Sequence, residues 1–282
     1  MEVDNLKMRI SGFGHALLGV SVAGLAILSL AYGNFAPIWE PLPAWLPRPE
    51  FWVYGSGALL LAASAGLFFA RTAWVSALII GAYESVWVVA RARALLLKPL
   101  VIGGWYGFSE ALGPLLGAWI LYAALRRSYD PAAATVMTGD RAQHVARALF
   151  GAACVVYGAA HFAYATYTAA MVPAWLPGRM EFAYLTGTAH AAAGFGLLVG
   201  VLPRLAATLE AIMMSLFGVL VWFPSFFAQP VPQWATPTQN RWSETVVTFL
   251  LAASAWIVAA SMRSSPWGFA KTVSDESAAP VQ

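Results

Sequence analysis

Charge is what this chain has least of. Only 10% of its 282 residues are Asp, Glu, Lys or Arg, against roughly a quarter in an average soluble domain. With 60% hydrophobic residues and a mean hydropathy of +0.67, that scarcity excludes a disordered chain and argues against an ordinary soluble enzyme. The single cysteine, Cys154, excludes an internal disulfide framework and any multi-cysteine zinc or iron–sulfur site. No run of Lys and Arg with interleaved aromatics accompanies the net charge of +3, so nucleic acid is rejected as a partner. A Walker A loop, a dinucleotide fingerprint, an HExxH pair and a serine-nucleophile motif are all missing.

Long apolar runs are what the sequence has instead. A membrane-crossing helix needs about 20 mostly apolar residues. Eight stretches qualify: 12–33, 51–70, 73–92, 105–125, 147–167, 182–201, 205–224 and 244–262. They predict an all-α polytopic membrane protein, since barrel strands are about ten residues long and alternate. With the N-terminus cytoplasmic, ten Lys and Arg fall inside (Lys7, Arg9, Arg71, Arg126, Arg127, Arg141, Arg147, Arg204, Arg263, Lys271) and six outside (Arg48, Arg91, Arg93, Lys98, Arg179, Arg241). That balance predicts both termini in the cytoplasm; the membrane is expected to be a bacterial inner membrane. The first run, with Ser29-Leu30-Ala31 near its end, also resembles a signal peptide. Its counterpart in the second half argues for a retained span.

The chain repeats itself. Pro43-Ala44-Trp45-Leu46-Pro47 returns as Pro173-Ala174-Trp175-Leu176-Pro177, and the same offset matches Tyr54 with Tyr184, Gly57 with Gly187 and Gly66-Leu67 with Gly196-Leu197. Ser109-Glu110 matches Ser243-Glu244 after a small insertion, and Ala16-Leu17-Leu18-Gly19 resembles Ala148-Leu149-Phe150-Gly151. Two parallel four-helix units follow: 1–127 and 147–263, joined by a cytoplasmic linker at 128–146 and trailed by a disordered tail at 264–282. The prolines stiffen the repeated loop. Trp39, Trp45, Trp52, Trp105, Trp175, Trp234 and Trp242 fall near the outer surface, as an aromatic belt or as the rim through which a lipid or quinone enters.

The Pro-x-Trp-Leu-Pro loop, the span Phe182-Ala183-Tyr184-Leu185-Thr186-Gly187-Thr188-Ala189-His190, and the Ser-Glu opening the last helix of each unit resemble the DoxX/DoxD-like membrane family. The likeness covers each half and is clearer in the second. It implies a four-helix unit and raises quinone-linked redox work, because the family includes the membrane subunit of a thiosulfate:quinone oxidoreductase. It supplies no catalytic residue, and the duplication departs from the family's usual single unit.

Ionisable side chains within hydrocarbon are costly and face the bundle with a partner. His161 shares a helical face with Cys154, Tyr157 and Gly158, and His190 is flanked by Gly187 and Gly194. With Glu244 they are expected to gather in the outer half of the second unit. A structural hydrogen-bonded cluster, a quinone or small-ligand pocket, a metal site of two histidines and Glu244, and bis-histidine haem all remain open readings. The aligned positions in the first unit are Ser29 and Leu60, so only the second unit can host such chemistry. Arg91, Arg93 and Lys98 form a basic outer edge, with Glu84 or Glu110 as partners. Glu210 is a candidate for a proton route from the cytoplasmic half. His15 is read as packed, His144 as solvated, and Cys154 as a small buried residue. Taken with these residues, the resemblance implies a quinone-linked redox component working with a redox partner protein. A non-catalytic scaffold or accessory subunit, and a transporter, are the alternatives.

Overall fold

The computed structural model describes residues 11–42, 45–132 and 135–268. Lys7, Arg9, Pro43, Ala44, Lys271 and most of the expected disordered tail lie outside the described residues. The helices are α1 Phe13–Tyr32, α2 Pro49–Leu67, α3 Ala73–Leu97, α4 Ile102–Tyr129, α5 Asp140–Ala163, α6 Ala165–Met171, α7 Arg179–Val199, α8 Pro203–Phe217 and α9 Thr238–Ala260. Beyond α8 the chain continues through a π-helical turn, Gly218–Trp222, and two short 3-10 turns. There is no β-strand among the described residues.

Seven of these segments are long and apolar enough to cross a bilayer: α1, α3, α4, α5, α7, α8 continued to Phe226, and α9. The chain is an integral, multi-pass helical membrane protein. The 19-residue α2 is not among the seven, because Pro49-Glu50 opens it and Tyr54-Gly55-Ser56-Gly57 dilutes its apolar content. Its outward face nevertheless presents Phe51, Leu59 and Leu61. Val20 and Ile27 of α1, Val86 and Val89 of α3, Leu185 and Phe195 of α7 and Leu209 of α8 are likewise exposed. Such a surface suits hydrocarbon, where apolar side chains cost nothing outside.

Several helix limits differ from the sequence expectation: α9 begins at Thr238, before the expected 244, and α3 runs on to Leu97, beyond the expected 92. Helix α5 begins at Asp140, within the stretch read as linker. Ala142, Gln143 and Ala146 bury one face of that extension, and Asp140 Oδ1 pairs with Arg127 Nη1 at 2.9 Å. The fifth span is also broken at Tyr164, where α5 ends and α6 begins.

Helices α4 and α9 form the centre, with 67% and 72% of their apolar windows buried. The main packing of α1 is along α9 and α2, and that of α4 is along α3, α5 and α9. The first helix, α1, thus lies against the last, α9, and α4 lies against α5. The tightest crossing joins α5 to α7. A Cβ on Gly158 would stand 2.6 Å from the Gly187 carbonyl oxygen, and one on Gly194 would stand 2.5 Å from that of Gly151. Only glycines let these backbones touch, which is how membrane helices gain van der Waals contact without a hydrophobic driving force.

The tryptophans divide. Trp45, Trp52, Trp105, Trp175 and Trp242 are exposed, as a belt requires, and Trp234 is half-buried. Trp39 departs from the expected belt: it is 7% exposed and packs into the core. Only its neighbours in the loop after α1, such as Ile38, reach the surface.

Candidate functional site

A cavity of about 650 Å³ opens between the loop after α1 and α4, α5, α6, α7, α8 and α9. That is within the range of pockets for small ligands, roughly 300–1,000 Å³. Its apolar walls include Phe182, Met213, Phe217, Leu220, Trp222 and Leu251. Its polar groups include Tyr106, Glu110, His161, His190, Glu244 and Thr248. The segment beyond the break at Tyr164 contributes Tyr164 and Tyr167 to the lining, and the π-helical turn contributes Leu220, Val221 and Trp222. Pro173 and Leu176 of the second Pro-x-Trp-Leu-Pro loop close one end.

The structure brings His161, His190 and Glu244 to this one cavity, but it does not pair the histidines with Glu244. The His161 and His190 rings touch at 4.8 Å between centroids. His190 Nδ1 lies 2.8 and 3.0 Å from the two carboxylate oxygens of Glu210, with both residues 1% exposed. Glu210 is therefore not an isolated cytoplasmic-half carboxyl. It lies seven residues past Pro203, and His190 nine before Val199, which puts both about 10–14 Å along their helices from the α7–α8 turn. Through His190 it is linked to the cavity. Cys154, fully buried, lies against the Glu210 carboxyl, so its surroundings are less apolar than expected.

The tautomers follow from these contacts. His161 Nδ1 donates to the Tyr157 carbonyl at 2.9 Å, which leaves Nε2 as the nitrogen free to act as an acceptor. Glu210 fixes Nδ1 of His190 as a donor, as a carboxylate does for the base of a catalytic dyad. The Tyr157 hydroxyl donates to the Ser109 carbonyl at 2.8 Å and is not available to a ligand as a donor. Its ring meets the His190 ring edge-on at 5.7 Å. A metal at His161, His190 and Glu244 is not supported, because no three His, Cys, Asp or Glu among the described residues are grouped to hold one. Rings in direct contact also leave no space for a haem between them.

The expected basic edge is not built as predicted. Glu84 is 6% exposed and makes no ion pair with Arg91 or Arg93. Arg91 turns away from it and lies over Gly107 of α4, donating through Nη2 to the Ile38 carbonyl. There it sits in the field of Glu110 and Glu244 without closing a salt bridge. Arg93 is exposed with no described partner among these groups. Glu110 has Tyr106 as its close neighbour, one helical turn back, and Glu244 has the Trp39 indole.

Sequence reasoning missed Glu40 and Tyr106, and it placed Trp39 at the outer surface, whereas Trp39 is buried and lines the cavity. Glu40 is 3% exposed, accepts from the Ala36 N–H at 2.7 Å, and accepts from the Tyr83 hydroxyl. Burial raises its carboxyl to about 6, against the opposing pull of those hydrogen bonds. The one available signal was Tyr106 four residues before Glu110, neighbours on one helical face.

No protein-family model matches this chain, and no curated protein and no solved structure is found to be similar to it.

Proposed function

We propose that this is a DoxX-like membrane protein, a quinone-binding component of a redox system that works with a partner protein supplying or taking electrons. The observation that carries the reading is the cavity: about 650 Å³, aromatic and apolar on most sides, with His161 and the Glu210-oriented His190 on its polar side. A lipid-soluble ring with carbonyl oxygens suits that division, with the ring against Phe182, Phe217 and Trp222, one oxygen towards the Thr248 hydroxyl and the other towards His190, which donates through Nε2 when the ring paired with Glu210 is protonated. When bound, a quinone supplies reversible two-electron, two-proton chemistry. The chain's part is to exclude water, orient the ring and hold protons at His190 and at the cavity carboxyls Glu110 and Glu244.

The finer architecture belongs to this proposal. Helix α2 is the eighth span, the two halves are repeats of one four-helix unit, and both termini face the cytoplasm of a bacterial cell. The matched sequence offsets and the positions of Glu110 and Glu244, which line one cavity from the corresponding helices α4 and α9, support the duplication.

The test is equilibrium binding of ubiquinone-1 and menadione to the full-length protein in lipid nanodiscs. Saturable binding is expected, weakened about tenfold or more by Thr248→Trp, which fills the cavity, and by His190→Leu; tenfold corresponds to about 1.4 kcal/mol. Absence of saturable binding, or equal binding by both variants, would leave the accessory scaffold as the function.

A further inference from the structure

A second, smaller hollow lies beside the main cavity. It has a volume of about 20 Å³, enough for about one water molecule. Glu40, Glu84 and Glu110 supply its carboxyl groups, Trp39 and Trp87 its indoles, and Ala111 with Pro114 part of its apolar wall. Glu110 and Trp39 also line the main cavity, so the two spaces share a wall.

The polar groups of the chamber are incompletely satisfied by protein. Glu84 is 6% exposed and has no hydrogen bond or ion pair among the described residues. The Trp39 indole N–H, on a residue 7% exposed, turns towards Glu244, and the Trp87 indole N–H, also on a residue 7% exposed, turns towards Tyr83, and neither closes a hydrogen bond of good geometry. Pro114 lacks the N–H that would bond the Glu110 carbonyl one turn back. In a membrane interior, unsatisfied groups of this kind cost several kcal/mol each. A cation would meet the positive ends of two indole dipoles. A water molecule accepts from an indole N–H and donates to carboxyl oxygens, so it matches both kinds of wall.

At the far end, Glu40 sits in the loop joining α1 to α2, next to the exposed Ile38 and Pro41. Its carboxyl, near 6, gains and loses a proton close to neutral pH. The other titratable or charged groups facing this path are Tyr83, Arg91, Tyr106 and Glu244.

We propose that the chamber holds one water molecule that joins Glu40 and Glu84 to Glu110, making a proton route from the membrane surface at the α1–α2 loop to the main cavity. In each transfer the water accepts a proton from one carboxyl group and gives one of its own to the next carboxylate. One O–H bond breaks and one forms on each side, the water is regenerated, and no electron moves. The route rests on the reading of the main cavity as a place where a ligand gains or loses protons.

The test is infrared spectroscopy of the full-length protein in nanodiscs as H2O is replaced by D2O. Carboxylic-acid carbonyl bands that Glu84→Gln and Glu110→Gln remove are expected to shift on exchange, and Glu40→Gln is expected to slow the Glu110 shift severalfold. Ala111→Val, which fills the chamber and leaves every carboxyl in place, is expected to slow exchange at Glu110 severalfold, the remaining exchange passing through the main cavity; it serves even if a glutamine variant does not fold. Glu110 exchange at the wild-type rate in both Glu40→Gln and Ala111→Val overturns the proposal, as does the absence of any band assignable to Glu84 or Glu110. Loss of quinone binding in the wild type sinks the functional reading alone, because the exchange experiment needs no quinone.

Discussion

His190 and Glu210 stand ten residues before and ten after Gly200, and their side chains close at 2.8 Å across the α7–α8 hairpin. Gly200 takes a left-handed conformation that ends α7, and Pro203 opens α8, so the turn is short and the pair is brought level. The contact fixes the ring beside the cavity and accounts for two of the chain's buried ionisable groups.

Removing one member of this pair strands the other. Glu210→Ala is expected to cost about 3–5 kcal/mol, and the double replacement His190→Leu, Glu210→Leu to recover most of that loss. Reversible denaturation in mixed micelles measures both. A double variant no more stable than Glu210→Ala would mean that the pair contributes little beyond packing.

The α5–α7 crossing makes a steric prediction. Gly158→Val and Gly194→Val each push a Cβ into facing backbone, which cannot give way as a flexible side chain does. Each is expected to destabilise by about 1–3 kcal/mol or more. Gly55→Ala, with nothing within 4 Å of the added carbon, is expected to be neutral or to stabilise α2 by about 0.5–1 kcal/mol. Equal melting temperatures for Gly158→Val and Gly55→Ala would contradict the crossing.

Glu40 sets a pH dependence with a definite sign. Its carboxyl rises from 4.5 to about 6 on folding, chiefly through burial. The folded state therefore binds the proton more tightly, and its contribution to stability is complete below 4.5 and lost as pH rises through about 6. At 1.36 kcal/mol per unit the loss is about 2 kcal/mol. The stability difference between the wild type and Glu40→Gln is expected to fall by that amount between about pH 4 and pH 7. A difference that stays constant or grows with pH would show that Glu40 is not buried as described.

Orientation is open to labelling, since Cys154 is the only cysteine and is buried. In a Cys154→Ala background, Ala174→Cys, in the exposed second loop, is expected to react with an impermeant maleimide added to intact cells. Gly268→Cys is expected to react only after the membrane is opened. The reverse pattern would invert the proposed topology.

Composition alone determined the class of this protein. Apolar runs of spanning length have few structural outcomes in hydrocarbon, because backbone groups must be satisfied within the segment itself. The helix limits also lay mostly in the sequence, with prolines at the starts of α2 and α8 and glycines at the ends of α1 and α7. So did the close approach at Gly158, Gly187 and Gly194, since bare glycines at helical spacing leave room only for another backbone. The His190–Glu210 pair was legible by counting outward from Gly200, but only once α7 and α8 were taken as a tight hairpin. What the tertiary structure alone decided was which helices of the two halves meet. The crossed packing of α1 on α9 and of α4 on α5 is not encoded in the period of any one helix. That packing sends Arg91 to the Ile38 carbonyl instead of Glu84, draws Trp39 and Glu40 out of a surface loop into the core, and places Glu110 between two cavities. Each outcome depends on contacts between residues far apart in the chain, where local spacing carries no information.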